Sequence, residues 1–265
     1  MPKRSTSNIP NELTNRQKNI LFALIKEFCE TGKSLGSTEL QKKYSFDFSS
    51  ATIRNEFAAL RKMGYLYQPF VNSGSVPTEK SFKLFINQML IGLQVTARQQ
   101  QELKKQIEEM QQKQANLEKE ISRMLALQSG AVGFSVNERI ESVSGISNLL
   151  AHPSEGKVLD ILNFLDNLDK YKTHLLTGNQ VASQQIETGE QLGEKPSSIK
   201  AVIGTENPIL PLGKGYAMIT VEVMLDGHEK SVVGLITPVR LLNKKKNLQL
   251  LKGLAKVLKL PDSKT

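Results

Sequence analysis

The sequence predicts an α+β protein of more than one domain: three short helices closed by a hairpin, then a helical linker, then a region in which strands and helices mix. Three observations carry this. Helical periodicity dominates residues 14–128, strand-like runs are confined to residues 65–77 and to the stretch after Gly130, and positive charge gathers at one end. The chain has 35 Lys and Arg against 26 Asp and Glu, a net +9. Residues 1–90 hold 13 of those bases and only 7 of the acids, so two-thirds of the excess lies in the first third. A small basic module joined to a nearly neutral one makes residues 1–90 the polyanion-binding candidate.

Composition excludes several function classes. With 39% apolar residues the chain folds, and with Cys29 as its sole cysteine it forms no internal disulfide, CxxC redox pair or thiolate zinc site. His152, His174 and His228 lack metal-ligand spacing, and no GxGxxG, Walker A or GxSxG motif occurs. No metal, cofactor or enzymatic activity is therefore expected. The first ten residues, MPKRSTSNIP, lack the apolar core of a secretion signal, and no run approaches the roughly 18 apolar residues of a membrane helix. A cytoplasmic location is expected.

Thr14-Asn-Arg-Gln17 fits a capping box, after which Ile20, Leu21, Leu24, Ile25 and Phe28 mark one face of a first helix running to about Glu30. Thr31-Gly32-Lys33 stops it. Ser37 is expected to cap a second helix, Thr38 to about Tyr44, with Leu40 and Tyr44 inward, and a polar turn at 45–48 follows. Ser49 or Ser50 caps a third helix in which Ile53, Phe57 and Leu60 share the inner face, and Met63-Gly64 ends it. Rotating 100° per residue from that face leaves Ala51, Asn55, Ala58 and Lys62 pointing outward, flanked by Thr52, Arg54 and Arg61. Small alanines permit close approach to a groove, Asn pairs bidentately with adenine, and Arg meets guanine or phosphate. An ordinary solvated helix gives a similar stripe, so this face alone decides nothing.

The next segment adds to it. Tyr65 to Phe70 is expected as a strand, Val71-Asn-Ser-Gly74 as a turn and Ser75-Val-Pro77 as the return, before a helix opens at Thr78 and runs to Leu93. Helix, helix, helix, hairpin is the order of a winged helix-turn-helix, whose third helix enters the major groove while the hairpin tip reaches backbone or minor groove. Ser49, Ser50 and the tip residues Asn72, Ser73 and Ser75 join the outward stripe as candidate contacts.

Leu13-Thr-Asn-Arg-Gln17, Gly36-Ser37, Ser49-Ser-Ala-Thr-Ile-Arg-Asn-Glu56, Leu60, Gly64 and Ser73-Gly-Ser-Val-Pro-Thr-Glu-Lys80 resemble the heat-inducible transcription repressor family, HrcA, in order and spacing across the whole module. One departure stands out: the family usually carries Arg where this chain has Ser75, which predicts a weaker grip of the wing on phosphate.

From Gln99 to Gln128, Leu103, Ile107, Met110, Leu117, Ile121 and Met124 follow heptad spacing, with Gln114 at the one polar seam position. The stripe fits either a seam between two copies or one helix folded on its own domain, and self-association is the favoured reading. Beyond it, Gly130 to Val136 reads as a strand, Gly145 to Ala151 and Gly156 to Leu176 as helices, Ile199 to Gly204 as a strand, and Tyr216 to Leu225 with Lys230 to Thr237 as a hairpin about Asp226-Gly227. A last helix spans Asn243 to about Leu260, Thr177 to Ser198 reads as a loop, and Lys244-Lys-Lys246 as a solvated charge run.

Gly145-Ile-Ser-Asn-Leu-Leu150, Ile203-Gly-Thr-Glu-Asn-Pro208 and Val233-Gly-Leu-Ile-Thr-Pro-Val-Arg240 also resemble the repressor family, in family order. The resemblance implies a GAF-like regulatory and dimerisation domain, here truncated, because the chain passes from Val136 to Ser144 where typical members carry a much longer central region. The expected organisation is a winged helix-turn-helix over 1–90, a helical linker over 91–129 and a GAF-like α+β domain over 130–265. The resemblance further implies a homodimeric repressor of chaperone genes on double-stranded DNA, at an inverted-repeat operator of the CIRCE type, released on heat stress with the chaperonin GroEL as a partner. Two competing readings are a repressor of this architecture governed by a small ligand, and a coiled-coil scaffold without sequence preference.

Overall fold

The computed structural model describes residues 13–112, 116–152, 158–177, 199–205, 212–225 and 229–258. Gln114, residues 178–198 of the polar loop, the Asp226-Gly227 turn, Glu206 to Pro208 of the family motif and the chain beyond Leu258 lie outside these residues. Two compact units, Met1–Ser81 and Phe82–Thr265, meet within a helix.

In the first unit α1 (Asn15–Thr31), α2 (Ser37–Tyr44) and α3 (Ser50–Lys62) pack together, and β1 (Leu66–Tyr67) pairs with β2 (Val76–Pro77) antiparallel. The capping box forms as the sequence predicts: Gln17 N–H donates to Thr14 Oγ1 at 3.2 Å, and Thr14 N–H to Gln17 Oε1 at 3.0 Å. Ile20, Leu21, Leu24, Ile25, Leu40, Ile53 and Leu60 are fully buried, and each such side chain stabilises the unit by about 1.5–3 kcal/mol.

Three local expectations change. Ser37 is the first helical residue, itself buried, and Gly36 precedes it with no side-chain cap. The turn at 45–48 is aromatic rather than polar in its packing, because the Tyr44, Phe46 and Phe48 rings stack in sequence, 6.1 and 4.9 Å apart. The strands of the hairpin are only two residues each; Pro69 has no N–H to offer a ladder and ends the first early.

The second unit takes most of α4 (Glu79–Ile91), then α5 (Ala97–Gln112) and α6 (Leu117–Ser129). The expected single helix over 99–128 is thus two, and Asn116 starts the second by accepting Lys119 N–H at 3.0 Å. After them come β3 (Val132–Val136), β4 (Glu141–Ser144), α7 (Ser147–Ala151), α8 (Val158–Asp166), α9 (Leu168–Thr177), β5 (Ile199–Ile203), β6 (Tyr216–Met224), β7 (Lys230–Pro238) and α10 (Lys245–Val257). The strands form one antiparallel sheet in the order β4-β3-β7-β6-β5. The sequence pattern does not predict β4. It pairs with β3 through a closed turn in which Asn137 Oδ1 accepts the N–H groups of Arg139 and Ile140 at 2.8 and 2.7 Å. The short passage from Val136 to Ser144 is therefore a complete hairpin. The helix expected over 156–176 is α8 and α9, with the join at Asn167.

Strand alternation sends Val132, Phe134, Val136, Met218, Tyr216 and Ile236 to one face of the sheet, where Ile161, Phe164, Leu165 and Leu168 close a core. On the other face lie α6 and α10. Gly133 permits this closeness, since a Cβ there would fall 2.3 Å from the Ser122 carbonyl oxygen of α6. Among the described residues no helix is long and apolar enough to cross a membrane.

Candidate nucleic-acid interface

α3 owes its exposed face to its three inward anchors. Ile53, Phe57 and Leu60 are 4% exposed or less, which fixes the helix rotation and turns Ala51, Arg54, Asn55, Ala58 and Lys62 to solvent. Ser49 caps the helix: its Oγ accepts Thr52 N–H at 3.2 Å, and the two hydroxyls lie 3.1 Å apart. Ser49 is exposed, whereas Ser50, Thr52 and Arg61 are half-buried. Glu56 turns back towards α1, taking a hydrogen bond from Gln17 Nε2 at 3.1 Å and facing Arg16 at 3.7 Å. That contact ties together two of the motifs singled out in the sequence. The side chains of Arg54, Asn55 and Lys62 make no hydrogen bond or ion pair among the described residues, so two cations and an amide stand on the surface with their donors unspent.

The wing is rooted in the unit rather than hanging from it. Leu35 N–H donates to Ser75 O at 3.0 Å and Ser75 N–H to Leu35 O at 2.8 Å, and Gly74 passes so near that a Cβ would lie 2.4 Å from the Leu35 carbonyl carbon. Arg61 Nη1 donates to Ser75 Oγ at 2.9 Å, linking α3 to the wing. Ser75, expected as a DNA contact, is 2% exposed: its hydroxyl is turned inward and takes one of the Arg61 N–H donors. Asn72 is exposed, with φ at +69°, and Ser73 is half-buried, its hydroxyl engaged within the turn. Phe70 and Val71, which the expected contacts do not include, are the most exposed large apolar residues among those described. Their signal, an apolar pair inside turn chemistry, was present in the sequence.

The residues expected to form a dimer seam face into the second unit. Leu103, Ile107, Leu117, Ile121 and Met124 are buried within the second unit and Met110 is half-buried there. Breaking the helix at Asn116 folds the stripe inward: α6 lies on β3, Leu103 lies beside Gly253 of α10, and Gln128 Nε2 donates to Gln106 Oε1 at 3.0 Å between α6 and α5. These residues serve the unit's own core. Lys244, Lys245 and Lys246 are exposed at the start of α10.

Three helices, a two-stranded wing and an unpartnered basic face on the third helix define a winged helix-turn-helix DNA-binding unit. Residues 12–90 match the family described as winged helix-turn-helix transcription repressor, HrcA DNA-binding, and residues 70–243 match that described as HrcA protein C terminal domain. The chain belongs to the HrcA family. It is 35% identical over 156 residues to the heat-inducible transcription repressor HrcA of Sorangium cellulosum (strain So ce56), a match covering 58% of this chain and 45% of the relative. The protein of that name from Clostridioides difficile (strain 630) is 44% identical over 79 residues, 30% of this chain and 23% of the relative. These matches thus span less than half of either relative's length. A solved structure described as that of a hypothetical protein shares the fold, with a TM-score of 0.67 at 17% identity over 93% of this chain and 98% of that one.

Proposed function

We propose that this chain is a transcriptional repressor of heat-shock chaperone genes, binding an inverted-repeat, CIRCE-type operator as a homodimer and leaving it on heat stress. The observation that carries the reading is the α3 face, where Arg54, Asn55 and Lys62 stand exposed and unpaired between small alanines in a unit matching the family's DNA-binding domain. In this reading α3 lies in the major groove, Asn55 reads a base edge, and Arg54 and Lys62 hold the backbone, with Ser49, Ser50 and Thr52 at the helix start near phosphate. The antiparallel order β4-β3-β7-β6-β5 between two helical layers supports a GAF-like regulatory and dimerisation role for the second unit, shortened at the β3–β4 hairpin. With the heptad stripe buried, the second copy is met by apolar residues still exposed on that unit, among them Leu127 and Leu150. The family likeness supports a chaperonin, GroEL, as the partner that restores the heat-released repressor.

Genome-wide mapping of bound sites before and after a heat step tests this directly. Occupancy confined to inverted repeats upstream of chaperone genes, lost on heating, is the expected result. Scattered occupancy without a shared repeat contradicts it, and release by a metabolite at constant temperature brings forward the ligand-governed reading.

A further inference from the structure

We propose that the wing tip, Phe70 and Val71, is an apolar wedge for the DNA minor groove beside the major groove that α3 occupies. The inference rests on the operator reading above and adds to it a contact that none of the α3 residues makes. Phe70 is 78% exposed and Val71 90%, side by side on one turn, whereas exposed apolar residues on a stable surface are usually scattered singly.

The turn holds them out rigidly. Ser73 Oγ accepts Phe70 N–H at 3.1 Å and donates to Phe70 O at 2.8 Å, Ser73 N–H donates to the same oxygen at 3.1 Å, and Gln68 Nε2 donates to Ser73 O at 2.8 Å. Asn72 takes the left-handed conformation that closes the turn, a backbone state Asn adopts more readily than most residues. A tip already ordered in the free protein loses little entropy on docking. Through the Leu35–Ser75 bridge and the Arg61 hydrogen bond, the wing is fixed to the same unit as α3, so seating the helix also places the tip.

Chemistry selects the occupant. From Leu66 to Pro77 the hairpin contains no charged residue, although the segment of residues 1–90 around it carries a net +6. The tip is therefore no phosphate clamp; its surface suits deoxyribose edges and the faces of bases opened at one step, where inserted Phe and aliphatic side chains kink a duplex. Flexible pyrimidine–purine steps are the sequences it favours, because they open at least cost.

The test uses the full chain as wild type, as Phe70→Ala/Val71→Ala and as Phe70→Leu/Val71→Ile, titrated onto an inverted-repeat CIRCE-type duplex carrying 2-aminopurine at the steps flanking each half-site. Wild type and the conservative variant should raise 2-aminopurine fluorescence. The double alanine variant should lose that signal and about tenfold in affinity, while the slope of log K against log salt stays unchanged, since no phosphate contact is lost. Equal affinity and equal fluorescence for all three proteins overturn the wedge but leave the operator reading standing. Lower affinity with no 2-aminopurine response in wild type also overturns it and points to a protein surface, such as the second copy, as what meets the tip. If wild type binds no duplex, both readings fall.

Discussion

Asn55 and its neighbours on α3 divide the work of binding between recognition and attraction. A side-chain amide that pairs with one base edge contributes about 1–3 kcal/mol of discrimination and almost nothing to the salt-dependent background. Asn55→Ala is therefore expected to lower operator affinity by about 5- to 150-fold while leaving binding to random DNA nearly intact, as read by fluorescence anisotropy on both duplexes. Arg54→Ala and Lys62→Ala should instead weaken both duplexes and each reduce the salt slope by about one unit. A selective loss from either would move that residue from backbone to base. Gly74 is governed by space rather than chemistry: any Cβ there collides with Leu35 backbone. Gly74→Ala should unseat the wing and lower the melting temperature of the first unit, whereas Ser75→Ala removes only the hydrogen bond from Arg61 and should cost about 1 kcal/mol.

At the scale of elements, an acid group joins three strands. Glu222 on β6 faces Lys200 on β5 and Lys230 on β7, both at 2.7 Å. Burial pushes its carboxyl upward, but the hydrogen bonds and charges of the two lysines outweigh that and hold it below the ordinary value of 4.5. A carboxyl lowered on folding stabilises the sheet fully above its unfolded value and loses that contribution as pH falls through the folded one. Glu222→Gln should accordingly destabilise the second unit by about 1–2 kcal/mol at neutral pH and flatten the decline of melting temperature below about pH 4.5.

Element type was legible wherever one residue pattern sufficed: the α1 capping box, the three anchors of α3 and the paired strands β6 and β7 all stand where the sequence places them. What escaped depended on partners distant in sequence. β4 exists because β3 offers it an edge, and its Ser142 and Ser144 hydroxyls meet Ser122 of α6 at 2.9 and 3.2 Å. Heptad spacing could not say whether its stripe met another copy or a sheet of its own chain; the cap at Asn116 decided for the sheet. In the candidate interface the outward stripe was readable from helical rotation alone. The inward turn of Ser75 was not, because it follows from Leu35, forty residues earlier.

Across the whole molecule, the two units differ in what they offer to heat. The first is a small core closed by a capping box, a rooted wing and the Gln17–Glu56 contact. In the second, α5 packs on α10 and α6 rather than on a strand and buries only Leu103 and Ile107, so local opening begins at this outer helix and at the α10 on which it rests. Hydrogen exchange on the full chain through the heat-release interval should therefore show protection falling in α5 and α10 before α1 and α3, with operator affinity falling in step. Retained protection of α5 and α10 at temperatures where the operator is already released would separate release from unfolding. Operator control requires that α3 read sequence. The most direct measurement is the ratio of affinities for an intact inverted-repeat duplex and a scrambled duplex of the same length and composition, taken at about 0.15 M salt where charge attraction is screened. A specific repressor gives a ratio of at least about a thousand, lowered at least about fivefold by Asn55→Ala. Equal affinity for the two duplexes contradicts operator recognition and leaves only a basic protein that binds DNA by charge.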